Sequence, residues 1–398
     1  MSSAVRFIRR TRRAARPPLP SVNPESPTRN SNPTLLFFCL KRTSFVEDDL
    51  ALLRERYDVR VFEFGAAREA ETVAGRGVGL FRETVRQFRR LRRELPRADL
   101  VYGWFADYHL ALPVLMARWA GVPVAVVIGG MDANHLPELG YGVFESRWRA
   151  PLARYVVRGA DLLLSVTQAL LHTENRYATW PEPRAQGLRA RLPDLRTPTR
   201  VAPLAMTPDD WPTGPEERSP AVVSVAYVSD ERTLRVKGLD VLIGAARRLP
   251  GVSFRIVGVE EAFRPTLRAQ YDPPENVTLE PPRPRAALRA AYADASVYAQ
   301  LSRIEAFGCA LAEAMLCGCV PVASPVSGLP EVIGETGIWV ERPDPDHAAA
   351  VIEHALEAAT PQRRAAARRR IVDQFSKERR RDRLFATLDA LRRGELGD

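Results

Sequence analysis

Lysine is almost missing from this chain: Lys41, Lys237 and Lys377 stand against 55 arginines. Such a skew follows gene base composition and carries no mechanism by itself. Cysteine is scarce as well. Cys39, Cys309, Cys317 and Cys319 lack the paired spacing of a zinc site and the density of a disulfide scaffold, so they read as reduced packing residues. No apolar run reaches the roughly 18 residues a membrane span needs. The best candidate, residues 110–128, is interrupted by Pro113, Arg118 and Pro123. At the start of the chain, Arg6, Arg9, Arg10, Arg12 and Arg13 leave no room for the apolar segment of a secretory signal. A cytoplasmic protein is expected. Nucleic acid is not an expected partner, because no recognition motif appears and the aromatics do not interleave with the basic runs.

What is present is charge, and it is regional. The formal net charge is +10, yet residues 1–33 carry +6, residues 82–97 carry +5 and residues 363–383 carry +7, which leaves −8 on the rest. A mildly acidic body with local basic tracts points to an anionic surface as partner. Residues 80–95 place Phe81, Val85, Phe88, Leu91 and Leu95 on one helical stripe with arginines around it. That is either a core-packed helix with a solvated face or a surface helix against anionic lipid headgroups.

With 398 residues and 45% hydrophobic content, the chain can form two domains of ordinary size. Residues 1–33, rich in Arg, Pro, Ser and Asn, read as a disordered basic arm. Apolar strand patterns then recur at 34–40, 57–62, 98–102, 122–128 and 160–166, with helical patterns between the earlier ones. After a Pro-rich stretch at 203–220 the alternation restarts at 221–228 and continues through 252–257 and 295–301. Strands alternating with helices predict α/β architecture with parallel sheets covered on both faces. The expected division is an arm (1–33), a first Rossmann-like domain (34–205), a second (206–374) and a terminal segment (375–398). Its helix, 375–393, has Ser376 as a plausible N-cap.

One stretch carries the chemistry. Ser302-Arg303-Ile304-Glu305-Ala306-Phe307-Gly308-Cys309-Ala310-Leu311-Ala312-Glu313 puts two carboxylates eight positions apart, around a Phe-Gly turn and at the mouth of a predicted helix. Gly308 can take backbone angles closed to other residues. Free N–H groups and the dipole at the helix start favour an anion. Glu313 lies roughly 7 Å along the helix axis at about 1.5 Å per residue, while Glu305 stays in the loop. The pair can hold hydroxyls at two points of one ligand.

The string from Ser302 through Cys317-Gly318-Cys319-Val320-Pro321 and Gly328-Leu329-Pro330-Glu331 to Val340 resembles the Glu-x7-Glu signature of retaining glycosyltransferases of family 4. The resemblance implies the GT-B fold: two Rossmann-like domains facing a cleft, with the last helix crossing back to the first domain. It implies a nucleotide diphosphate sugar as co-substrate, with Glu313 on the ribose and Glu305 on sugar hydroxyls. Lys237-Gly238 resembles the family's Lys-Gly element, which meets the diphosphate together with an upstream Arg. Arg232 is favoured for that Arg over Arg235. Backbone N–H groups around Phe307, Gly308, Cys309 and Ala310 would help, and Gly258 fits a strand-end glycine near the nucleotide. Arg283 borders the expected base position. No metal and no other cofactor is expected, since the cations take the metal's role.

The first half departs from the family pattern. Lys41-Arg42-Thr43-Ser44-Phe45 stands where glycines are common, and Gly129-Gly130-Met131-Asp132 stands where a histidine often contacts the sugar. Asp132 is a candidate for orienting the acceptor hydroxyl or contacting the donor, with Asp107 and His109 as rivals. The acceptor is a glycan, a lipid-linked group or a small molecule. An anionic surface at the inner face of the plasma membrane fits the basic tracts. Alternatives from other classes are a non-catalytic binding subunit, a GT-B epimerase and a basic nucleic-acid-binding protein.

Overall fold

The computed structural model describes residues 32–64 and 73–396; the expected arm at 1–33 lies outside the described residues but for its last two positions. Eight strands form in the first half: β1 (Thr34–Cys39), β2 (Asp58–Glu63), β3 (Leu100–Trp104), β4 (Val124–Ile128), β5 (Leu162–Ser165), β6 (Thr173–Asn175), β7 (Arg184–Gln186) and β8 (Thr199–Val201). Six of them make a parallel sheet in the order β2-β1-β3-β4-β5-β8, and β6 and β7 form a small antiparallel hairpin. The second half contributes β9 (Ala221–Val228), β10 (Ser253–Val259), β11 (Val277–Glu280), β12 (Val297–Gln300), β13 (Val320–Ala323) and β14 (Ile338–Trp339). They form a second parallel sheet, β11-β10-β9-β12-β13-β14. The expected pair of Rossmann-like units is present.

Continuous apolar runs become the central strands because both faces of a parallel sheet are buried. Leu35, Leu36, Phe37 and Phe38 are fully buried, as are Leu162 and Leu163. Right-handed crossovers fix which face each helix covers. Helices Val73–Glu94, Ala111–Ala120 and Arg149–Gly159 lie side by side on one face of the first sheet, the first and third each packed against the second. Helix Ser44–Arg54 covers the other face.

The strands that the sequence reading lacked are short, whereas the helices it lacked include long ones at Pro345–Glu357 and Pro361–Gln374. Strands β6, β7 and β8 have three residues each and no apolar run of their own. The pairing Leu163↔Thr199 gives β8 its place, so the sheet defines it rather than its own sequence. A helix at Glu231–Val236, also unexpected, is capped by Asp230, whose Oδ1 accepts from the Thr233 N–H at 2.7 Å.

The terminal helix Lys377–Arg393 begins at Ser376, whose hydroxyl accepts from the Arg379 N–H at 3.3 Å. It packs back on the first half through a buried charge network. Arg380 pairs with Asp49 and donates to the Ala202 and Pro203 carbonyls at 2.6 and 2.7 Å. Asp49 also accepts from the Tyr102 hydroxyl at 2.7 Å and the Trp104 indole at 3.0 Å. An ion pair in a protein interior is tolerated when its remaining lone pairs are met in this way.

The basic tract 363–383 is a correction to the sequence reading. Much of its charge faces inward. Arg364 donates to the Glu216 carbonyl, Arg368 to the Trp211 and Leu316 carbonyls, and Arg370 to the Glu331 and Val332 carbonyls. Together with Arg380, these side chains tie the linker and helix ends together. The tract is therefore a poorer anionic-surface footprint than its net charge suggests.

Candidate active site

A cavity of about 410 Å³ opens between the two halves. Phe45, Trp104, Gly129, Val166 and Leu204 line it from the first; Lys237, Gln300, Glu305, Phe307, Gly308, Cys309 and Ala310 line it from the second. Its floor is built by two glycines. Gly238 has φ +67°, and a Cβ there would stand 1.7 Å from the Leu301 carbonyl oxygen. Only glycine lets the Lys237 turn lie directly on the loop that follows β12. The contact is fastened by the Arg303 N–H on the Val236 carbonyl, 2.8 Å, and by a bidentate Arg303–Asp240 pair at 2.8 Å. Gly308, at φ +86°, turns the chain into helix Cys309–Leu316 against the Leu329 side chain.

These turns bring Lys237 and Glu305 together. Lys237 Nζ donates to Glu305 Oε2 at 2.7 Å. Gln300 Nε2 donates to the same oxygen at 2.7 Å, and the Ala306 N–H donates to Oε1 at 3.1 Å. Phe307 is buried and meets Phe375 edge to face at 5.2 Å, which anchors the turn. Burial pushes the Cys309 thiol far up, leaving it a neutral wall residue. Gly258, at φ +107°, allows β10 to approach the Ala226 carbonyl, one residue from Tyr227 at the cavity edge.

Glu313 lies in the middle of helix Cys309–Leu316, outside the cavity lining, and is 8% exposed. Tyr292 donates to its Oε2 at 3.4 Å and Arg285 stands at 3.7 Å. Burial pushes its carboxyl up to about 7, against the opposing pull of Arg285 and Tyr292, and Asp48 of the first half adds to the rise. Of the candidate arginines, Arg232 and Arg235 are exposed on helix Glu231–Val236, and Arg235 lends its carbonyl to Arg303. Arg283 bonds Glu280 at 3.3 Å.

The acidic candidates of the first half are engaged inside their own domain. Asp132 is 1% exposed; its oxygens accept from the N–H groups of Ala106 at 2.9 Å, Gly129 at 3.1 Å and Gly130 at 2.8 Å. Burial raises it to about 6 while those N–H groups pull it down. It therefore shapes the Gly129-Gly130 turn, which it holds close to Ala306 across the cleft. Asp107 accepts from the Tyr108 N–H at 2.7 Å and pairs with Arg149. His109 is buried against the Trp104 carbonyl at 3.0 Å.

Three cleft residues were missed by the sequence reading. Gln300 sits five positions before Glu305, at the end of an apparently apolar strand. Tyr141, on a first-half loop closed by the Leu136↔Tyr141 bridge, feels the charges of Glu305, Asp132 and Arg232. Glu331 reads in the sequence only as part of a helix opening. It accepts from the Gln168 and Ala169 N–H groups at 2.8 and 2.6 Å, fastening the halves together. The Thr167 hydroxyl on the Ala306 carbonyl, 3.0 Å, lies beside it. A dinucleotide such as Pro-Glu signals a helix start, and nothing in it announces partners 162 and 163 positions away.

This geometry defines a two-domain GT-B fold with an interdomain cleft. Residues 217–371, within the second half, match the family model for glycosyl transferases group 1. Among curated relatives, D-inositol 3-phosphate glycosyltransferase of Mycobacteroides abscessus is 37% identical over 125 residues, covering 29% of this chain and 28% of that protein. The Segniliparus rotundus enzyme of the same name is 33% identical over 191 residues, covering 44% and 41%. The chain thus spans well under half the length of these relatives. Among solved structures, sucrose-phosphate synthase from Thermosynechococcus elongatus superposes with a TM-score of 0.66 at 16% identity, covering 90% of this chain and all of that one. Anabaena HepE in complex with UDP-glucose gives 0.67 at 18% identity, covering 90% and 99%.

Proposed function

We propose that the chain is a glycosyltransferase moving a hexose from a nucleotide diphosphate sugar to an acceptor hydroxyl with retention of anomeric configuration. The Lys237–Glu305 pair at the cavity floor, beside the free N–H groups of helix Cys309–Leu316, is the observation that carries this reading. A diphosphate arriving there replaces Glu305 as partner of Lys237 and gains the helix dipole. Glu305 then turns its freed oxygen to sugar hydroxyls, and Glu313 receives the ribose. As the C1–O bond to the diphosphate breaks, charge grows on the leaving oxygen. Preformed cations and N–H groups stabilise that charge without reorganising. With Asp107 and Asp132 occupied by Arg149 and by backbone donors, the acceptor proton passes to the departing phosphate oxygen. Arg232 completes the charge set from the rim, and no metal is assigned a step.

The second part of the proposal is that the enzyme works on an anionic membrane surface. Among the described residues no helix is long and apolar enough to cross a membrane. The three-helix face of the first sheet instead exposes Phe88 at 41%, on the helix that carries the arginines of 82–93, and Trp119 at 79% on the neighbouring helix. Aromatic rings with arginines suit the headgroup layer.

The decisive experiment is turnover of UDP-, GDP-, ADP- and dTDP-sugars, with the product anomer read by NMR. Retained configuration is expected. An inverted product, or no nucleotide-sugar bound at any concentration, removes the proposal.

A further inference from the structure

Gln300 ends β12 at the cavity wall and is 7% exposed. Its amide can sit only one way. The nitrogen is 2.7 Å from Glu305 Oε2 and 3.5 Å from the Ser302 hydroxyl. Turned over, the amide would set its oxygen against a carboxylate. The oxygen Oε1 therefore faces the Gly308 turn, 3.7 Å from where a glycine Cβ would stand, and no hydrogen-bond donor reaches it. A buried acceptor without a donor costs free energy, and native structures keep few of them. Here the orphan sits beside the Lys237–Glu305 pair on the wall of the cavity that both halves line.

We infer that Gln300 is a specificity-determining residue: its carbonyl oxygen accepts a hydrogen bond from a hydroxyl of the transferred sugar, while its amide nitrogen holds Glu305 in place for the neighbouring hydroxyl. The inference rests on the glycosyltransferase reading above. The side chain makes one polar wall of three groups: a cation at Lys237, a carboxylate at Glu305 and a neutral acceptor at Gln300. A ligand with two adjacent hydroxyls satisfies the last two together. A bare nucleoside diphosphate satisfies neither, so the orphan distinguishes sugar from nucleotide. A side chain at 308 would clash with Leu329 and lie in contact with this oxygen.

The test compares Gln300→Met, nearly isosteric and without polar atoms, with the unaltered chain. Binding of UDP, GDP, ADP and dTDP is measured by calorimetry beside binding and turnover of the matching glucose-bearing nucleotides. Expected is unchanged affinity for the bare diphosphate and about tenfold weaker binding of the sugar nucleotide, with kcat reduced. The melting temperature should change little, because removal of the unmet buried acceptor offsets loss of the amide bond to Glu305. A purely structural glutamine would instead lower the melting temperature and weaken both ligands alike. Should Gln300→Met not fold, Gln300→Asn, which keeps both groups but withdraws them by one methylene, is expected to show the same selective loss. Equal sugar-nucleotide affinity and kcat in the variant overturn this inference alone. Failure of the unaltered chain to bind any of the diphosphates or sugar nucleotides overturns the reading beneath it.

Discussion

In the second half of the molecule, Lys237 and Glu305 line the cleft with partners that a ligand can replace, while Glu313 is buried in helix Cys309–Leu316. In the first half, Asp107 and Asp132 are held by a guanidinium and by three backbone N–H groups. The side chains are the same chemical types. What separates them is exchangeability: Lys237 is 30% exposed and shares its carboxylate with Gln300, whereas Asp132 is sealed under the turn it organises. A carboxylate that closes its own loop is architecture; one whose counter-ion faces open space is a candidate for chemistry.

The largest effect separates these roles. Lys237→Ala should lower transfer about 10²–10³-fold and change stability by no more than about 1 kcal/mol, as for other partly exposed pairs. Asp132→Asn should do the reverse. Its amide N–H would oppose the Gly129 or Gly130 N–H, costing about 2–3 kcal/mol of stability. Any activity loss should then follow the folded fraction. Chemical denaturation beside steady-state kinetics checks both. A fully stable Asp132→Asn with transfer abolished would dissolve the comparison.

How legible this was in the sequence follows the same division. The Lys237-Gly238 turn and the turn at Gly308 after Glu305 were readable because their glycines announce themselves. The parallel sheets were readable from apolar runs. Asp132 was misjudged because its partners are backbone groups, which leave no mark in sequence. Gln300 was passed over because one polar residue closing an apolar strand looks like a boundary. The arginines of 363–383 looked like a surface, although carbonyls at 211, 216 and 316 take two of them, Arg364 and Arg368. Burial and long-range pairing decided each of these cases, and neither has a periodicity.

A finer test concerns Glu313, the buried member of the second-half set. Its folded-state value near 7 lies above the unfolded value of 4.5. The stability this gives is fully present below 4.5 and is lost as pH rises through 7. Glu313→Gln removes that loss. The variant should be more stable than the unaltered chain at pH 8 by about 1–3 kcal/mol and indistinguishable at pH 4.5. Nucleotide affinity at pH 8 should meanwhile fall about tenfold, as a charged acceptor is lost. Urea denaturation at the two pH values reads the first part, calorimetry the second. A variant less stable at pH 8 would mean that Arg285 and Tyr292 outweigh the burial of the charge.

The smallest effect tests a second contrast, between the basic tract that faces carbonyls and the one that faces solvent. Arg89 and Arg93 are exposed on helix Val73–Glu94, next to Phe88. Arg364 and Arg368 point into the protein. Each basic group near an anionic leaflet contributes about 1 kcal/mol. Reversing Arg89 and Arg93 to Glu should therefore weaken sedimentation with phosphatidylserine-containing vesicles tenfold or more. Neutral vesicles should bind poorly throughout, and added salt should erase the difference. Substituting exposed Trp119 by Ala should weaken anionic-vesicle binding less, and in a salt-independent way, because it withdraws apolar area rather than charge. Undiminished binding of the charge-reversed protein to anionic vesicles would mean that the three-helix face meets no membrane, and that its arginines only keep the first domain soluble.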